Sequence, residues 1–113
     1  VIKPIPLSLL IHAVEYMECV ETGRYGETFS APVTIENVRL QPIASYRRKT
    51  GEREREKPNE SFILFFDMTH SRPLVTFREK SKVVFQGKEY SVIRVTPFYG
   101  FDNTPHHIEV MLL

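Results

Sequence analysis

The sequence predicts an all-β chain: a single small antiparallel β-barrel or sandwich over residues 1–113, with a long charged loop inserted between two strands. Three observations predict it. Segments of strand length alternate apolar and polar residues, as in PVTI, YSVIRVTPF and HHIEVMLL. Clusters of Gly, Pro and Asn separate those segments at short intervals. With 113 residues, 42% of them hydrophobic and eight of them Phe, the chain is long enough for one domain with a core of its own.

The elements follow in order. Pro4 and Pro6 hold the first residues extended. Residues 9–20, LLIHAVEYMECV, carry two patterns. Leu9, Leu10, Ala13, Val14 and Met17 fall at helical spacing, while Val14, Tyr16, Glu18 and Val20 share one strand face. The strand reading is preferred because β-branched and aromatic residues fill the second half. ETGRYGET, with two glycines, reads as a turn or loop. PVTIENVRL, residues 32–40, reads as a strand with a hitch at Glu36-Asn37. Val33 and Ile35 share a face, and Val38 and Leu40 resume with the parity changed, as a bulge or short turn requires. Residues 43–48 read as a further strand running into the charged stretch. SFILFFDM, residues 61–68, is a strand apolar on both faces as far as Asp67, and Thr69 to Pro73 turn the chain. VVF, QGKE and YSVIRVTPF form a hairpin around Gly87. After a loop at YGFDNTP, HHIEVMLL is a terminal strand with Ile108, Val110 and Leu112 on one face.

The charge is uneven. The chain is net +1, but residues 46–60, YRRKTGEREREKPNE, hold six of the fifteen Lys and Arg and four of the fourteen Asp and Glu. That stretch is net +2 and the rest is near neutral. Arg47, Arg48 and Lys49 suit phosphate contact. Glu52, Glu54 and Glu56 alternate with Arg53, Arg55 and Lys57 and would repel phosphate. Tyr46 is the one aromatic there on which a base would stack. If extended, EREREK has one acidic edge and one basic edge. With no apolar content to fold it, the loop at about 47–60 is expected to be mobile in a monomer, and its two edges suit pairing between neighbouring copies.

Candidate chemistry is sparse. Cys19 stands alone, so no internal disulfide forms and no activating motif surrounds it. His106 and His107 are adjacent and, on a regular strand, point to opposite faces, which does not suit one metal ion. His12 and Cys19 match no zinc spacing. Asp67 and His70, in DMTHSRP, read as turn chemistry rather than part of a catalytic set. No nucleophile elbow and no glycine-rich phosphate loop occurs. The expectation is no catalytic site, no metal and no cofactor. LSLLIHAV is too short to span a membrane, and no basic segment before it marks a signal peptide.

KPIPLSLLIHAVEY, VTIENVRLQP, VVFQGKEYSVIRVTPFYG and HHIEVMLL resemble a phage minor capsid protein family of Gram-positive bacteria and their prophages. They look like the head-completion, or stopper, proteins of long-tailed phages. The resemblance implies a small β-barrel subunit at the head–tail junction of the virion, assembled in the host cytoplasm. It implies a ring of six or twelve copies beneath the portal and adaptor, lining the channel through which packaged DNA leaves and offering a face to the tail terminator or tail proteins. In related stoppers an inserted loop closes the channel, which puts residues 47–60 in the position of a plug. Phe62, Phe65 and Phe66 are expected interface residues, because SFILFFDM has more apolar surface than one barrel wall needs, and Met111 and Leu113, at the end of the terminal strand HIEVMLL, are expected to serve one likewise. The rival readings are another connector component, adaptor or tail terminator, and a nucleic-acid-binding β-barrel module.

Overall fold

A computed structural model describes residues 3–23, 26–43, 61–101 and 103–113. It is all-β. A 3-10 turn at Leu7–Leu9 precedes eight strands: β1 (His12–Met17), β2 (Cys19–Gly23), β3 (Gly26–Phe29), β4 (Val33–Ile43), β5 (Ser61–Asp67), β6 (Lys82–Phe85), β7 (Lys88–Tyr99) and β8 (Pro105–Leu112). Six of them close into a barrel in the order β1-β4-β5-β8-β7-β6, with β6 returning to β1. Every neighbouring pair is antiparallel. β2 and β3 form a separate two-stranded ribbon.

The alternation in the sequence is what fills the barrel. Val14 and Tyr16 from β1, Ile35, Val38 and Leu40 from β4, Leu64 and Phe66 from β5, and Val110 and Leu112 from β8 all point inward and are buried. Val83, Phe85, Tyr90 and Val92 close the other side, and Phe77 enters from the β5–β6 connection. Each such side chain contributes on the order of 1.5–3 kcal/mol by leaving water.

Two local features set the register. His12 pairs with Val38 and Ala13 with Glu36, so Asn37 is the extra residue of a bulge, as the parity change predicts. Asn37 has φ 60, a left-handed conformation that Asn tolerates better than most residues. Its side-chain amide donates to the His70 carbonyl at 3.2 Å. The extra residue is why Ile35 and Val38 both face the core. At the β6–β7 hairpin, Gln86 and Gly87 have φ 54 and 79, the double positive φ of a type I′ turn, where glycine carries no steric cost.

Asp67 ties the N-terminal arm to the barrel. Its carboxylate is buried and accepts three backbone N–H groups: Ile5 at 3.1 Å, Thr69 at 3.1 Å and His70 at 2.9 Å. Its own N–H donates to Ser71 Oγ, and His70 Nδ1 donates to the Ile5 carbonyl. DMTHSRP is therefore turn chemistry that also holds the arm.

Three expectations change. Residues 9–20 are not one strand: Glu18 interrupts them, where its N–H donates to Ser30 Oγ, and the chain turns out of the barrel into β2. ETGRYGET is not simply a loop, since β2 and β3 extend through it to Gly23 and from Gly26. His106 and His107 do not point to opposite faces. Phe98 pairs with His107 and Tyr99 with Pro105, so His106 is the extra residue of a second bulge and the two rings meet, with Nδ1 atoms 3.0 Å apart. The strand expected over 43–48 is represented by Ile43, the end of β4; residues 44–48 lie outside the described residues.

Candidate assembly surfaces

β4 and β5 are neighbours, and their register ends on the pair Ile43–Ser61. The connection between those two residues therefore leaves and re-enters at one end of the barrel. Arg47, Arg48, Lys49, Glu52, Arg53, Glu54, Arg55, Glu56 and Lys57 belong to that connection and lie outside the described residues.

The five expected interface residues separate by strand face. Phe66 is fully buried in the core, so it has no surface to offer a neighbour. Phe62 also faces inward, edge-on to Phe85 at 5.9 Å and Tyr90 at 5.3 Å. Both were expected at an interface because the strand is apolar on both faces; alternation sends the even-numbered residues inside. Phe65 and Met111 face outward and are half-buried, and Leu113 is exposed.

The register of β5, β8 and β7 arranges that outer wall in rows. Ile63 pairs with Met111, and Met111 with Arg94. Phe65 pairs with Glu109, and Glu109 with Thr96. Asp67 pairs with His107, and His107 with Phe98. Phe98 stacks on His107 with ring centroids 5.0 Å apart and planes 8° from parallel. His107 Nε2 reaches Glu109 at 3.1 Å, and His106 Nε2 donates to the Lys3 carbonyl at 2.6 Å. Those contacts occupy the outer ring nitrogens, and among the described residues no three His, Cys, Asp or Glu side chains group as metal ligands.

Sequence reasoning missed Phe98, Tyr99 and Phe101, which are 40%, 58% and 86% exposed at the β7–β8 tip. The signal was present in PFYGF: three aromatics around a glycine in a polar loop setting. Cys19 is buried, and its N–H donates to Ser81 Oγ, which also meets the Tyr16 hydroxyl. Burial holds the pKa of His12 below a histidine's ordinary 6.5, and the nearby Arg39 guanidinium lowers it further. The neutral ring accepts the Leu40 N–H on Nδ1 at 3.1 Å. No helix among the described residues is long and apolar enough to cross a membrane.

Residues 6–112 match the family described as minor capsid protein. The chain belongs to this phage family. No curated protein matches it. Minor capsid membership gives the chain a structural role in the virion, and the match takes in all eight strands and the connection between β4 and β5.

Proposed function

We propose that the chain is the head-completion subunit of a long-tailed phage. Copies form a ring of six or twelve beneath the portal and adaptor, offer a face to the tail, and hold the packaged DNA. It works by contact rather than by catalysis. The observation that carries the reading is the place of the charged connection. A minor capsid barrel in which a seventeen-residue connection, 44–60, joins the paired neighbours Ile43 and Ser61 supports a stopper, a class in which an inserted loop closes the channel. The all-β character of the described residues favours this position over an adaptor, which is expected to be more helical.

The test is a particle carrying a deletion of residues 50–58. A connection whose ends stay paired tolerates shortening, because closure entropy changes only as the logarithm of loop length. Such particles are expected to assemble and then to lose DNA. Normal DNA retention in assembled particles counts against the plug role.

A further inference from the structure

The barrel has two opposite walls of complementary character. In a closed order of six strands, β8 lies three strands from β1 in either direction, so the walls centred on them face away from each other. The β5–β8–β7 wall carries the Ile63, Phe65, Met111 and Phe98 rows. Arg94 stands at its edge, exposed, with the Met111 sulfur at 3.6 Å as its one polar contact among the described residues. Glu109 on that wall is already matched by His107. The β4–β1–β6 wall carries a surface trough of about 430 Å³ lined by Ala13, Glu15, Thr34, Val84 and Gly87. Glu15 sits at its centre, between Thr34 and Val84, and Glu36 pairs with the lining Ala13. Both carboxylates are exposed and neither has an ion-pair partner among the described residues. Lys82 on the same wall is matched by Glu89 at 3.7 Å.

We propose that the β5–β8–β7 wall of one copy docks on the β4–β1–β6 wall of the next, with Arg94 paired to Glu15 and an aromatic from the β7–β8 side seated in the trough. This rests on the ring reading above and names its interface. The charges decide the symmetry. A twofold contact through the β5–β8–β7 wall offers Arg94 no unmatched carboxylate, since Glu109 is held by His107, and one through the β1 wall sets carboxylate near carboxylate. Joining unlike walls pairs the unmatched charges, and head-to-tail contact of this kind closes into a ring when the rotation between copies allows it. Closure of the barrel also removes free strand edges there, so copies meet through side chains rather than by adding strands.

Charge reversal tests it. Arg94→Glu alone and Glu15→Arg alone are each expected to weaken self-association about tenfold or more, read by native mass spectrometry, and the double variant to regain it. Mixing the two single variants is expected to restore rings of alternating copies, because every junction between unlike variants sets one base against one acid, and failure of the mixture to associate would count against the pairing. Arg94→Cys combined with Glu15→Cys is expected to give a ladder of disulfide-linked multimers under oxidation, whereas either cysteine alone gives no ladder. This arm reads the contact even where the purified chain is a monomer. Rings that form equally well from the single variants would overturn this interface and leave the ring standing. Absence of a ladder, or linked dimers from Arg94→Cys alone, would overturn the head-to-tail contact. A wild-type ring absent from assembled particles would instead strike the head-completion reading.

Discussion

Single residues show where the fold is held by chemistry rather than by apolar burial. Asp67 collects three N–H groups from two distant parts of the chain. Asp67→Ala leaves them without their buried acceptor, and the expected loss is about 2–4 kcal/mol in a urea titration. Hydrogen exchange at the Ile5 amide is expected to quicken in the same variant, because it loses its anchor. His12 gives a pH signature. Its pKa is lowered in the folded state, so below a histidine's ordinary 6.5 the unfolded chain binds more protons than the folded one. Stability from this group is full above that value and is lost as the pH falls through the window beneath it. His12→Gln is expected to flatten the fall in thermal midpoint between about pH 7 and 5 relative to the parent. The turn role of Asp67 was legible in DMTHSRP. Its hold on Ile5 was not, because nothing local in a sequence marks a partner 62 positions away.

Strands carry the contrast between inside and outside. On β5, Phe66→Ala empties a fully buried site and is expected to cost about 3–5 kcal/mol. Phe65→Ala, one residue away on the outer wall, is expected to cost about 1 kcal/mol or less by the same urea midpoint. Equal losses would mean that the wall assignment is wrong. The alternation of SFILFFD fixed two faces but not which one is inside, since both are apolar; the answer comes from the partners Leu112, Val110 and Val38, which face the core opposite Phe62, Leu64 and Phe66. The bulge at Asn37 was legible because a parity change needs no knowledge of the partner strand. The bulge at His106 was not, because HHIEVMLL alternates without a break and the irregularity shows only in how β8 meets Tyr99. The β2–β3 ribbon was hidden for a different reason: Gly and Glu are weak strand formers, and their pairing comes from chain reversal rather than propensity.

For the whole molecule, the closed barrel makes fold and assembly separable. The core faces inward from every strand, and the two opposed outer walls are free to differ in charge without disturbing it. The deletion of residues 50–58 is accordingly expected to leave the thermal midpoint of the purified chain almost unchanged. The all-β class and the place of the charged stretch between two strands were visible in composition and periodicity. Barrel closure was not, because it depends on β1 meeting both β4 and β6, a pairing that no local pattern encodes. The order of the strands also sets a timetable. β8 fills the gap between β5 and β7, and it is made after both. During synthesis β5 therefore waits with an unpaired edge until residues 105–112 emerge, and nucleation must bring together partners far apart along the chain. Such a topology folds over milliseconds to seconds rather than microseconds. The hazard to this chain lies in that interval, when an exposed β5 edge can pair with the same edge of another nascent chain before β8 arrives.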